Sequence, residues 1–138
     1  MIAATAPAPG LVDRHGRTIS YLRISVTDRC DLRCRYCMAE HMTFLPKSAI
    51  LSLEEIAVIA ERFIARGITK IRLTGGEPLV RRESAELVKR LGHHIGAGLD
   101  ELTMTTNGNA LAQHAPAMVA AGIRRINVSL DSRDPETF

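Results

Sequence analysis

Between Tyr21 and Thr27, apolar Leu22, Ile24 and Val26 alternate with polar Arg23, Ser25 and Thr27, the period of a β-strand with two unlike faces. From Ser52 the period lengthens. Leu53, Ile56, Ala57, Ala60, Phe63 and Ile64 fall on one face of a helix that Gly67 stops, and Ser52 with Glu55 forms an S-x-x-E capping box at its start. The cycle then repeats with a strand over Lys70–Thr74, a Gly-Gly-Glu-Pro turn, and a helix from about Arg82 to His94 marked by Leu87, Val88 and Leu91. A third strand reads from Leu102 to Thr106. After Asn107-Gly108 a helical stretch runs to Ala121, expected to break or restart at Pro116, because an interior proline loses a hydrogen bond and clashes with the preceding turn. Arg125–Leu130 completes the series as a fourth strand.

Strands alternating with helices imply right-handed crossovers and a parallel sheet. Parallel strands covered on both faces usually read as continuous apolar runs. These do not. One parity gathers Leu22, Ile24, Val26, Ile71, Leu73, Leu102, Met104, Ile126, Val128 and Leu130, which should pack on the helices. The other gathers Arg23, Ser25, Thr27, Arg72, Thr74, Thr103, Thr105, Asn107, Asn127, Ser129 and Asp131. A half-exposed antiparallel sheet is the commoner source of such alternation, but the intervening helices count against it. The expected architecture is α/β, a partial (β/α) barrel of the TIM type with a polar lumen, holding only about the first four β/α units. Arg23 and Arg72 in such a lumen require anions, and a substrate is their expected source.

Charge and composition narrow the partners. The 138 residues carry a net charge of +3, with Lys and Arg spread along the chain. That suits an anionic small molecule, whereas the absence of Trp and the few other aromatics supply a stacking surface for nucleic acid poorly. No run approaches a membrane span, and MIAATAPAPG lacks the basic start and apolar stretch of a secretory signal. The opening residues 1–12 read as a flexible leader to a domain over residues 13–138, and a cytoplasmic location is expected. Asp134 and Pro135 resemble an N-cap and a first helical position just before Phe138, so the domain is expected to be the first part of a longer protein.

The chemistry concentrates in Cys30, Cys34 and Cys37, spaced C-x3-C-x2-C directly after the first strand, at the end of a parallel sheet where active sites collect. An odd number of cysteines within eight residues suits a metal better than disulfides. Thiolates ligate iron-sulfur clusters and zinc. Zinc would need a fourth ligand such as His41 or His15, and no second cysteine pair follows. A 4Fe-4S cube held by three thiolates leaves one iron for a cofactor.

The triplet followed by Gly-Gly-Glu-Pro resembles the signature of the radical S-adenosylmethionine superfamily. The blocks YLRISVTDRCDLRCRYCM, KIRLTGGEPLVRR, TTNG and RINVSLDSRDPETF resemble its molybdenum cofactor biosynthesis branch, in order from about Val12 to Phe138. The resemblance implies that Cys30, Cys34 and Cys37 bind a 4Fe-4S cluster whose fourth iron takes S-adenosylmethionine. Tyr36, Gly76 and Ser129 match positions contacting that cofactor, and Arg23, Arg72 and Thr105 match positions binding GTP. It implies a lyase that converts GTP to (8S)-3',8-cyclo-7,8-dihydroguanosine 5'-triphosphate through a 5'-deoxyadenosyl radical. No side chain is catalytic, because the radical arises at the cofactor. An external electron donor, a homodimer of the full-length protein, and a cyclic pyranopterin synthase consuming the product also follow from the resemblance. So does a second, C-terminal 4Fe-4S cluster, whose cysteines this sequence lacks, and the chain alone is therefore expected to be inactive.

Physical roles can be given to several of these residues. Gly75 and Gly76 would remove side chains where backbone meets a ligand, and Glu77 would accept hydrogen bonds from a cofactor ammonium or hydroxyl. The alternative is an ordinary strand-to-helix turn opened by Pro78. No G-x-x-x-x-G-K-[ST] or G-x-G-x-x-G occurs, so a nucleotide would be clamped by lumen side chains. Arg81, Arg82, Lys89 and Arg90 are expected to form a charged helix face, and Asp31 and Ala39 stand where the branch commonly has Asn and Pro. The rival readings are another radical enzyme of the superfamily and a non-enzymatic zinc module.

Overall fold

The computed structural model describes residues 10–137. Strands and helices alternate as β1 (Tyr21–Ser25), α1 (Leu53–Ile64), β2 (Lys70–Thr74), α2 (Ser84–Gly92), β3 (Glu101–Thr106), α3 (Leu111–Ala120) and β4 (Ile126–Val128). The strands pair in parallel in the order β1-β2-β3-β4. The sheet is open. This is the expected partial barrel, and the Ser52/Glu55 capping box is present at the start of α1, with both reciprocal hydrogen bonds made.

The apolar parity of β2 and β3 faces the helices, whereas Val128 and Leu130, expected to pack there too, are 47% and 55% exposed because β4 is an open edge of the sheet and no helix following it covers them among the described residues. Ile71, Leu73, Leu102 and Met104 are at most 1% exposed and pack with Ile56, Ala60 and Ile64 of α1, Leu87, Val88 and Leu91 of α2, and Met118 of α3. Burying each such side chain contributes about 1.5–3 kcal/mol. The opposite parity carries the polar residues, and in register Arg23 stands beside Arg72, and Arg72 beside Thr103.

Several expectations need correction. Helix α3 runs unbroken through Pro116. The lost bond is the one to the Ala112 carbonyl in the helix's first turn, where Ala112 is exposed and its carbonyl can turn to water. α2 begins later than expected because Glu83 takes a left-handed φ of 63° just ahead of it. β1 stops at Ser25 because the chain beyond it leaves the ladder to hydrogen-bond the turn after β2. β4 is short, although Ser129 N–H extends its pairing by one bond to the Thr106 carbonyl at 2.8 Å.

The expected charged face of α2 is also divided. Arg81 precedes the helix, and its guanidinium donates to the Val26 carbonyl and, at 2.6 Å, to the Leu51 carbonyl. Arg90 makes a two-pronged pair with Glu61 of α1 at 2.7 and 3.0 Å. Most of the leader expected over residues 1–12 lies outside the described residues. Of its last positions, Leu11 packs on the core, and Val12 bridges Thr18 in a small antiparallel hairpin. Among the described residues no helix is long and apolar enough to cross a membrane.

Candidate active site at the C-terminal ends of the strands

Four loops leave the same end of the sheet, and side chains tie them to one another. The loop after β1 carries the cysteines. Its entry is zipped to the turn after β2: Val26 N–H donates to the Thr74 carbonyl, Gly76 N–H to the Thr27 carbonyl and Glu77 N–H to the Arg29 carbonyl, at 2.8 to 2.9 Å. This contact explains the two glycines. A Cβ on Gly75 would stand 2.5 Å from the Thr27 carbonyl oxygen, and one on Gly76 would stand 2.2 Å from that of Arg29. The close approach is therefore made by the cysteine loop's own backbone.

Glu77 is not available to a cofactor. It is 1% exposed, and both its oxygens are engaged. Oε1 accepts from Leu79 N–H at 3.0 Å and from the Thr106 hydroxyl at 2.8 Å, and Oε2 accepts from Asn107 N–H at 2.6 Å. Pro78 opens a short 3-10 turn, so the ordinary-turn alternative describes Gly-Gly-Glu-Pro better. Glu77 joins the turn after β2 to the end of β3. A buried carboxylate is tolerated there because donors surround it.

From β3 the linkage passes to the cysteine loop. Asn107 donates its amide to Asp31 Oδ1 at 2.7 Å, and Asn109 donates to Oδ2 at 2.9 Å. Burial pushes the Asp31 carboxyl up, but the Asn109 and Asn107 amides outweigh it and hold the group below its ordinary range. Tyr36 closes the circuit to the loop after β4, donating its hydroxyl to Asp131 Oδ1 at 2.7 Å. The bond to Asp131, aided by desolvation, pushes the Tyr36 phenol up to about 12. On its outer side the loop is held by Phe44, whose ring lies 5.5 Å from the guanidinium carbons of both Arg29 and Arg33.

The three cysteines are free thiols, with Cys30 and Cys34 half-buried and Cys37 exposed. The Cys34 carbonyl accepts from both Cys37 and Met38 N–H, which places Cys34 and Cys37 on one turn, while Cys30 Sγ accepts from Leu32 N–H at 3.5 Å. As donors the set suits an iron-sulfur cluster, being thiols alone on one loop with a backbone N–H already aimed at a sulfur. Among the described residues no three His, Cys, Asp or Glu side chains converge at ligand distance, and neither His41 nor His15 joins the thiols. His15 instead accepts from Arg14 Nε at 3.2 Å in the N-terminal hairpin.

The remaining expected site residues separate into two levels. Gly76 and Ser129 sit with Tyr36 and the cysteines among the strand-end loops. Arg23 and Arg72 lie below them, side by side on β1 and β2, and Thr105 stands on β3 opposite Asn127 of β4. Arg23 is exposed and Arg72 half-buried, and Arg72 Nε is a buried donor without a partner. Asp31 and Asn109 were not among the expected site residues. Asn107 and Asp131 appear in the sequence only as polar-face residues, and no local signal pairs them with Asp31 and Tyr36.

The geometry is an open parallel sheet with free thiols and a Gly-Gly-Glu-Pro turn gathered at one end. The sequence model of the radical SAM superfamily matches residues 24–138, and the chain belongs to that superfamily. More narrowly, it is similar to the GTP 3',8-cyclase of Rhizobium leguminosarum bv. trifolii (strain WSM2304), 60% identical over 134 residues that make up 97% of this chain and 38% of the relative. It is 62% identical over 131 residues to the GTP 3',8-cyclase of Erythrobacter litoralis (strain HTCC2594), covering 95% of this chain and 40% of that protein. With the GTP 3',8-cyclase of Caulobacter vibrioides (strain ATCC 19089 / CIP 103742 / CB 15) the identity is 57% over 139 residues, covering 98% and 40%. The chain thus spans 38 to 40% of the length of these curated relatives.

Proposed function

We propose that this chain supplies the cluster loop and the phosphate side of the nucleotide pocket in a GTP 3',8-cyclase of molybdenum cofactor biosynthesis. The observation that carries the reading is the register pair Arg23 and Arg72 on the polar face below the cysteine loop, with Arg72 Nε buried and lacking a partner. Two adjacent guanidiniums repel one another unless an anion sits between or above them, and a triphosphate offers oxygens matched to their forks. A neutral peptide substrate would give them no such partner.

Cys30, Cys34 and Cys37 would hold a 4Fe-4S cluster. With S-adenosylmethionine bound beside it and an electron from an external donor, that cluster would supply one-electron chemistry directed at the ribose. The protein's own part is positional. Asp31, Asn107 and Asn109 fix the loop carrying the thiols over the end of β3, Gly76 and Ser129 offer backbone and a hydroxyl at the rim, and Thr105 offers a hydroxyl toward the substrate. The same reading takes residues 13–138 as the N-terminal part of the core, with an external electron donor and the second cluster's region acting in the longer protein.

Anaerobic reconstitution of the chain with iron and sulfide tests the proposal. About four irons per chain and a charge-transfer band are expected, and both should be lost when Cys34 is replaced by Ser. A single tightly held zinc would refute it.

A further inference from the structure

The polar face is layered by the strand register. In the lower layer Tyr21, Lys70 and Glu101 stand side by side on β1, β2 and β3, and in the layer above it Arg23, Arg72 and Thr103 do the same. Glu101 pairs with Lys70 at 2.7 Å and with Arg125 at 2.7 Å, so the carboxylate of the lower layer is committed to two cations. Among the described residues neither Arg23 nor Arg72 has a carboxylate partner. Arg72 rests instead on Tyr21, with its guanidinium carbon 5.7 Å from the ring centroid and Lys70 Nζ at the same distance.

We propose that Tyr21 is a positioning residue of the anion site, its ring seating the Arg72 guanidinium so that Nε stays buried while the terminal N–H groups of the fork face a polyphosphate. The proposal rests on the reading of the chain as part of a GTP-cyclising enzyme. An aromatic face attracts a cation through its quadrupole without neutralising it. A carboxylate in the same place would occupy the fork with two hydrogen bonds and cancel the charge. Glu101 complements this from one layer below, drawing Lys70 and Arg125 to itself and easing the repulsion that Lys70 would exert on Arg72. The face is thereby sorted into a compensated lower layer and an uncompensated upper one. Affinity is gained from phosphate oxygens, and a neutral nucleoside gains nothing from this pair.

Arginine Nε–H resonances of the chain, followed by NMR during titration with inorganic triphosphate and separately with guanosine, test the proposal. Triphosphate should shift the Arg72 and Arg23 signals, and guanosine should leave them in place. Tyr21→Leu should weaken triphosphate binding about fivefold, the magnitude of one cation-aromatic contact, while Tyr21→Phe should retain wild-type affinity. Trifluorinated phenylalanine at the same position keeps the ring's shape and withdraws its electrons, so it should weaken binding as leucine does even if the leucine variant folds poorly. Unchanged affinity in the fluorinated variant, or equal weakening in Tyr21→Phe, overturns the role of the ring. If the wild-type chain shows no triphosphate-dependent shift, the triphosphate reading itself falls, and the inference falls with it.

Discussion

Tyr36 and Asp131, 95 positions apart in the chain, meet through a 2.7 Å hydrogen bond. It joins the cysteine loop after β1 to the loop after β4, over the ends of the two strands between them. Because the phenol is exposed, the bond acts on the loop and not on the core. Tyr36→Phe should leave the global melting temperature unchanged and should raise amide exchange across residues 30–38 several-fold. Unaltered exchange there would show that the loop is held without this bond.

Glu77→Gln places an amide N–H2 group where only donors surround the side chain. Whichever way the amide turns, an N–H faces either Asn107 N–H or the pair formed by Leu79 N–H and the Thr106 hydroxyl. The expected cost is about 1–3 kcal/mol, measured as a lowered urea midpoint at unchanged m-value. A neutral result would mean that the turn after β2 relaxes around the amide.

Gly76→Ala tests the zipper between the turn after β2 and the cysteine loop. The new methyl would lie 2.2 Å from the Arg29 carbonyl oxygen, a backbone atom that cannot swing aside as a side chain would. A loss of about 1–3 kcal/mol or more is expected, together with reduced iron uptake on reconstitution, because the shift propagates one residue to Cys30. Normal stability with normal iron content would contradict this account of the glycine.

The pair between Lys70 and Glu101 gives stability a pH dependence with a definite sign. The hydrogen bond from Lys70 is the leading cause that holds the Glu101 carboxyl below its ordinary value, with Arg125 adding to it. A depressed folded-state value means that the contribution is complete above the ordinary carboxylate range and is lost as pH falls through the depressed value. The stability difference between wild type and Glu101→Gln should therefore be largest near neutrality and vanish in acid. Solvent and salt screen a pair this accessible, so the difference should also shrink at high ionic strength. A difference independent of pH would remove the ion pair as its cause.

Much of this was legible in the residue pattern. Alternation in Lys70–Thr74 gives β2 to the residue, the S-x-x-E box gives the start of α1, and strand parity puts Arg23 and Arg72 on one face before any coordinates. What escaped the pattern depends on how loops lean on one another. Glu77 reads in sequence as an acceptor for a cofactor ammonium or hydroxyl, and nothing local shows that Thr106 and Asn107 arrive to bury it. Asp31 reads as a departure from a motif, yet its two oxygens match the amides of Asn107 and Asn109, which lie 76 and 78 positions away. Pro116 reads in sequence as a helix break, but the acceptor it leaves free belongs to Ala112, exposed in the first turn of α3, where the loss is small. Local preference sets the elements, and long-range polar matching sets the site.

The strand order β1-β2-β3-β4 also imposes a schedule on synthesis. Each unit emerging from the ribosome can dock on the unit made just before it, so the sheet grows in the direction of translation. The bonds of the cysteine loop to later units are exceptions: Asp31 waits for Asn107 and Asn109, and Tyr36 waits longest, because its acceptor Asp131 is made 95 residues after it. At typical elongation rates that is a wait of roughly 5 to 20 seconds. During that interval the three thiols stand on a nascent loop not yet fastened at its far side.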